Sequence, residues 1–329
     1  MRAAGAVGFV VIGRNEGRRL ECCLQSVLPI STRVVYADSA STDGSPSVAE
    51  RLGVPVLILP ADGQLSAARG RNAGYAELKR RFPECDAVQF LDGDCILQPG
   101  WIEKAAAFLR DHPDVAVVCG RRFEARPTAS IYNALCDAEW NTPIGEATEC
   151  GGDALVRTTA FDEVDGYRSS LRAGEEPEMT ARMRAAGWRI WRLDTSMTEH
   201  DANILTFRQW WRRTQRGGYG YAQAWEATRE LPLRLYAHNL KSAVVWAIAI
   251  PLLIITAAIL ARNSLALIVF PLLYGSQVVR IARNSNQSGR LRWISAAMLL
   301  MAKFPEALGA IRYFVAGKGH SVPEYKSHA

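Results

Sequence analysis

The stretch "VGFVVIG" at residues 7–13 has no polar alternation, the pattern of a strand covered on both faces. The next stretch, "GRRLECCLQSVL", changes period, with Leu20, Cys23, Leu24, Val27 and Leu28 at helical spacing. The alternation then repeats. "RVVYADSASTDGS" reads as a second strand ending in a polar turn, Pro46 to Leu52 as a helix and "VPVLILP" as a third strand. "LSAARGRNAGYAELKRRF" reads as a basic amphipathic helix and "DAVQFLDGD" as a fourth strand. Strands and helices alternating at this pace predict βαβ units, hence an α/β, Rossmann-like fold on a mostly parallel sheet. Ligands of such sheets bind beyond the carboxyl ends of the strands.

Near residue 241 the pattern changes. Residues 242–261, "SAVVWAIAIPLLIITAAILA", carry no charge, nor do 264–279, "SLALIVFPLLYGSQVV". At about 1.5 Å per helical residue, the first covers roughly the 30 Å of a bilayer core and the second roughly 24 Å. Arg262 and Asn263 alone separate them, which predicts a tight helical hairpin. Arg234 and Lys241 precede it, Arg280, Arg283, Arg290 and Arg292 follow it, and Arg262 alone lies in its loop. That asymmetry puts both ends in the cytoplasm. The apolar segment at about 293–316 is broken by Lys303, Pro305, Glu306 and Arg312, and reads as interfacial or re-entrant. The expected division is therefore a domain over 1–230 and a membrane-associated helical region over 231–329.

The net charge of +6 suits an anionic partner. The arginines are scattered before residue 200 and gather at the predicted membrane flank, which favours lipid headgroups over nucleic acid. The seven cysteines form no CxxC pair and read as reduced thiols. No secretory signal is read at the N-terminus, because "AVGFVVIGRNEG" serves as the first strand.

Polar residues gather where the predicted strands end. Asn15 and Glu16 follow the first, Asp38 ends the second, and Asp92 and Asp94 end the fourth, one residue apart. Arg69, Arg71 and Asn72 stand near a helix N-terminus, a place that favours anions. Two carboxylates that close repel, and a hard dication shared with substrate phosphates would offset the repulsion. An Asp-Gly turn accounts for the pair equally well when it is taken alone.

"VVIGRNEG", "VVYADSASTDGS", "LSAARGRNAG", "FLDGD" and "GEEPEMTARMRAAGWRI" follow one another as in family 2 glycosyltransferases of the GT-A fold, which residues 7–220 resemble. The resemblance implies inverting transfer of a sugar, a hexose by expectation, from a nucleotide-sugar donor with Mg²⁺ or Mn²⁺. It places Asn15, Glu16 and Asp38 at the nucleotide, Arg71 at the diphosphate, Asp92 at the ribose and near the metal, and Asp94 on the metal as the second acid of an Asp-X-Asp motif. His200 is a candidate third metal ligand. Glu176 is the expected base, with Glu175 as its alternative, although the family has Asp where Glu176 stands. Acids in a helix's first turn also have a purely dipolar explanation. Asp153 in "GGDALVRTTAFDEVDGY" is a candidate acceptor contact. "RQWWRRTQRGG" resembles the QxxRW element of processive members, with Gln209 and Arg212 in place and Arg213 where Trp is expected. These three are candidate acceptor or phosphate contacts, or part of an interfacial helix. The implied role is extension of a lipid-linked or cell-surface glycan in polysaccharide biosynthesis, at the cytoplasmic face of the inner membrane. The alternatives are a polyprenyl-phosphate glycosyltransferase and an inactive nucleotide-sugar-binding membrane scaffold.

Overall fold

The computed structural model describes residues 6–61, 65–232 and 234–316. The first apolar run forms strand β1 (Ala6–Gly13), with Gly8 to Ile12 buried. It lies parallel to β2 (Val34–Asp38) on one side and to β4 (Cys85–Asp92) on the other, and β3 (Val56–Ile58) extends the parallel set beyond β2. The register pairs Gly13 with Asp38 and Ile12 with Asp92, so three strand ends finish side by side. Helix Arg18–Val27 buries Leu20, Cys23, Leu24 and Val27, the positions its period selects. Helix Ala67–Arg81 starts where Ser66 Oγ accepts the Arg69 N–H at 3.3 Å.

Beyond β4 the sheet changes character. β8 (Ala154–Arg157) inserts between β4 and β6 (Val115–Glu124), antiparallel to both. β6 is parallel to β9 (Arg189–His200), which pairs antiparallel with β5 (Cys95–Leu97) and β7 (Gly145–Ala147). The order along the sheet is β3-β2-β1-β4-β8-β6-β9-β5. The expected parallel arrangement holds among the first four strands and again between β6 and β9, while β8, β5 and β7 pair antiparallel, so the sheet as a whole is mixed.

The chain divides into two compact units. Among the described residues, one runs to Leu205 and takes in Ala227–Leu235, and the other holds Thr206–Glu226 and the residues from Tyr236 to 316. Helix Phe207–Ala227 thus groups with the C-terminal helices, unlike a division near residue 230. In that unit, helices Phe207–Ala227 and Lys303–Ala316 cross at two glycines. A Cβ on Gly218 would overlap the Glu306 backbone, and one on Gly309 would overlap the Gln215 carbonyl. Tyr219 and Tyr313 flank the crossing edge to face, 5.2 Å apart.

The apolar hairpin is present. Helical segments cover Ala237–Leu260, Ser264–Ile268 and Val269–Arg283, and the turn has Arg262 at φ 50°. The arms meet where the Trp246 and Tyr274 rings lie 5.6 Å apart. Two helices among the described residues are long and apolar enough to cross a membrane, by length and composition: Ala237–Leu260 and Gly289–Val315. The second arm of the hairpin is not among them. Ala237–Leu260 is 6% buried and Gly289–Val315 50% buried over the most apolar window of each. The broken segment at 293–316 is therefore helical nearly throughout, and Lys303 and Glu306 pair at 2.7 Å within it. Leu252, Leu253, Ile259 and Leu260 are exposed, an apolar surface that soluble monomers rarely show.

Candidate active site

The loops after β1 and β2 are tied together by short side chains. Asn15 takes the left-handed conformation, φ 56°, which Asn tolerates better than most residues. Its N–H donates to Ser41 Oγ at 2.8 Å, and its Oδ1 accepts the Thr42 N–H at 2.7 Å. Ser45 Oγ accepts from the N–H groups of Glu16 and Gly17 at 3.1 and 3.0 Å. Asp38 is buried behind this seam and accepts from the Tyr36 hydroxyl at 2.8 Å and from Ser41 N and Oγ at 2.7 and 2.6 Å. Glu16 pairs with Arg19 at 2.7 Å.

At the end of β4, Asp92 lies between two guanidinium groups. Its Oδ1 meets Arg71 Nη2 at 2.9 Å and its Oδ2 meets Arg122 Nη2 at 3.2 Å. Arg71 reaches onward, its Nη1 lying 2.9 Å from Glu176 Oε1 and 3.3 Å from Glu175 Oε1. Arg122 donates from Nε and Nη2 to Asp153 Oδ2 at 2.9 and 2.6 Å. The result is a chain of alternating charges, Asp153–Arg122–Asp92–Arg71–Glu175/Glu176. Aromatic rings back both arginines: Tyr167 lies 5.4 Å from Arg71 Cζ and Trp140 5.5 Å from Arg122 Cζ. Two arginines therefore offset the charge of Asp92, and the spacing of Asp92 and Asp94 does not by itself require a dication.

Asp153 does not face outward. It is 1% exposed, and besides Arg122 it accepts from Thr198 Oγ1 at 2.9 Å and the Asp92 N–H at 3.0 Å. Burial is the strongest influence and pushes its carboxyl up, but the Arg122 guanidinium together with the hydrogen bonds from the Asp92 N–H and Cys95 holds it below the usual range. Asp153 is a buried anchor for Arg122 and for the end of β4, which corrects its reading as an acceptor contact.

The close approach of Arg71 explains the glycine at 152, directly before Asp153. A Cβ there would overlap Arg71 Nη2 and come within 3.0 Å of Glu176 Oε1. Gly152→Ala is expected to push Arg71 off its carboxylates, costing about 1–3 kcal/mol of stability and at least about tenfold in turnover. Urea unfolding and initial rates on the same preparation would measure both.

Glu175 and Glu176 open helix Glu175–Ala185. The Glu176 side chain is 18% exposed. Burial, and then the neighbouring Glu175 carboxylate, push its carboxyl up to about 7, against the pull of Arg71. A carboxyl at that value exchanges protons near neutral pH, as a general base must.

Asp94 is buried and meets His200 Nε2 through Oδ2 at 3.3 Å. His200 stands edge-on to Trp140 at 4.9 Å. One ligand atom from each of Asp94, Cys95 and His200 lies within 4.8 Å of the other two. Oxygen and nitrogen donors so placed fit a divalent cation. Asp92, Cys95 and Asp153 satisfy the same distance test, but Arg122 pairs with both of those acids. The structure thus brings Arg71, Asp92, Glu175 and Glu176 together, and Asp94 with His200. Gln209, Arg212 and Arg213 belong to the other unit, where Gln209 Oε1 accepts from Thr206 N and Oγ1 at 2.9 and 3.0 Å, capping its own helix.

Sequence reasoning passed over Arg122 and Trp140. Arg121 and Arg122 follow the apolar run "VAVVCG", the same signal of polar residues ending a strand that marks Asp38 and Asp92.

Residues 9–164 match the family described as Glycosyl transferase family 2. The succinoglycan biosynthesis protein ExoA of Rhizobium meliloti is 30% identical over 227 residues, 64% of this chain and 66% of that protein, so the chain spans just under two thirds of that relative's length. The O-antigen chain rhamnosyltransferase WbaN of Salmonella anatum is 23% identical over 59% of this chain and 64% of its own length. Among solved structures, the mannosyltransferase PcManGT of Pyrobaculum calidifontis, in complex with GDP-Man and Mn²⁺, is similar with a TM-score of 0.65 at 17% identity, over 93% of this chain and 86% of its own. This last likeness concerns the GT-A fold alone.

Proposed function

We propose, from the match of residues 9–164 to glycosyl transferase family 2, that this chain is an inverting, cation-dependent hexosyltransferase of polysaccharide biosynthesis. Its donor is a nucleotide sugar and its acceptor a lipid-linked or cell-surface glycan at the cytoplasmic face of the inner membrane. The exopolysaccharide and O-antigen relatives support the glycan class, and the exposed apolar helix Ala237–Leu260 supports the membrane. One observation carries the reading: Arg71 joins Asp92, at the end of β4, to Glu176, so one guanidinium couples the donor end of the site to its base.

In this reading the seam formed by Asn15, Glu16 and Ser41, with Asp38 behind it, receives the nucleotide, and Asp92 the ribose. Asp94 and His200 would hold Mg²⁺ or Mn²⁺, which would supply positive charge against the departing diphosphate. Arg71 adds a second positive charge on the same side. Glu176 takes the proton of the acceptor hydroxyl as its oxygen bonds to the anomeric carbon. The bond from that carbon to the diphosphate breaks with its electron pair on the leaving group, and the centre inverts.

Detergent-solubilised protein would be given UDP-, GDP- and dTDP-sugars with Mn²⁺ or Mg²⁺ and membrane lipid extract, and nucleotide release followed. The expected result is cation-dependent release from one donor class, at least about 100-fold slower in Asp94→Ala. Donor binding without release under any of these conditions would favour a nucleotide-sugar-binding scaffold instead.

A further inference from the structure

A third donor atom stands beside the carboxylate and the imidazole. Cys95 follows Asp94 directly and is fully buried at the start of β5. The β5–β9 register pairs it with His200, and residues so paired extend to the same face of a sheet. Cys95 Sγ lies 3.7 Å from Asp94 Oδ1, and His200 Nε2 lies 3.3 Å from Asp94 Oδ2. Around a four-coordinate ion with bonds of about 2.0–2.2 Å to N or O and about 2.3 Å to S, donor-to-donor edges are about 3.3–3.6 Å, with S to O near the top of that range. One ligand atom from each of the three residues lies within 4.8 Å of the other two, so the groups stand near those edges before any ion draws them in.

One further observation supports a ligand. The His200 side chain is 7% exposed, and its Nδ1 has no hydrogen-bond partner among the described residues, a costly state for a buried polar atom unless the ring has another use.

We propose that Cys95 ligates the cation together with Asp94 and His200, so that this site prefers borderline or soft dications such as Zn²⁺, Co²⁺ and Cd²⁺ to Mg²⁺. Sulfur is what shifts the preference, since carboxylate and water alone suit Mg²⁺. On binding, the thiol proton leaves to solvent and the sulfur electron pair forms the bond to the metal. Three protein ligands leave a position open for a substrate oxygen. The inference rests on Asp94 and His200 being the cation ligands.

The full chain in detergent, stripped of metal and free of nucleotide, would be titrated with Co²⁺, Cd²⁺ and Mn²⁺ as wild type, Cys95→Ser, Cys95→Ala and Asp94→Ala. The wild type is expected to show sulfur-to-cobalt charge-transfer absorption that both Cys95 variants lack. Cd²⁺ affinity should fall at least about tenfold in Cys95→Ser, while Mn²⁺ affinity, read by electron paramagnetic resonance, changes less than about threefold. Circular dichroism of the two Cys95 variants separates ligand loss from misfolding. Co²⁺ binding that is lost in Asp94→Ala but never shows the sulfur band would overturn the thiolate and leave the carboxylate–imidazole site standing. The same band persisting in Cys95→Ser would assign it to another cysteine and overturn the proposal. Failure of the wild type to bind any of the three ions would overturn both.

Discussion

Glu176→Gln is expected to lower turnover by roughly 10²–10⁴-fold and, unusually for an active-site change, to stabilise the unit that contains it at alkaline pH. The native carboxyl, raised to about 7 by burial and Glu175, keeps its proton above an unfolded value near 4.3. The native state therefore binds more protons than the unfolded state across that window, and stability falls as pH rises through it. Above pH 7 the whole penalty stands, on the order of 2–3 kcal/mol for a group with some solvent access. Glutamine keeps the shape and can still accept a hydrogen bond from Arg71, but it carries no charge to bury. Calorimetry should show matching unfolding temperatures for variant and wild type near pH 4 and a higher one for the variant at pH 8. Wild-type kcat/KM should rise with pH through an apparent pKa near that of the free enzyme's base. If Glu176→Gln turns over normally and Glu175→Gln does not, the two glutamates exchange roles.

Arg71→Met should have the largest effect on stability. Methionine nearly fills the space, but Asp92, Glu175 and Glu176 lose the guanidinium that all three share. Removing one partner of a buried ion pair costs about 3–5 kcal/mol, because the remaining charge is stranded. Part of that cost should be relieved in Arg71→Met/Glu176→Gln, where one stranded carboxylate is gone, and a double-mutant cycle in urea would read the coupling. Arg71→Lys should fall between, since one ammonium cannot reproduce the fork that touches Asp92 with one nitrogen and the glutamates with the other. A cost under about 1 kcal/mol for Arg71→Met would mean that solvent, and not Arg71, compensates these acids.

Much of the first half of the molecule was legible because its signals are local. An unbroken apolar run followed by a polar residue located β1, β2 and β4 and with them Asp38 and Asp92, and helical spacing located Leu20, Cys23 and Leu24. The mixed half was not legible. β8 is four residues long and sits between β4 and β6, and no period in four residues records which strands they join. Asp153 illustrates the difference. Its sequence neighbours, Gly-Gly-Asp, suit a turn or an acceptor contact, and only the pairing of β8 with β4 and β6 puts its carboxylate beneath Asp92 and against Arg122. His200 lay in between. Its residue type suggested a ligand, but its meeting with Asp94 depends on a β5–β9 register that spans more than a hundred residues.

The crossing at Gly218 and Gly309 has a consequence for handling the protein. Most helix pairs in water are held by expelling water from apolar side chains, so their grip weakens when the surroundings become apolar. Here the two backbones touch directly, and close packing of that kind acts as well in hydrocarbon as in water. The junction of helix Phe207–Ala227 with helix Lys303–Ala316 should therefore survive a change of detergent, or extraction from lipid, that loosens contacts made by larger side chains.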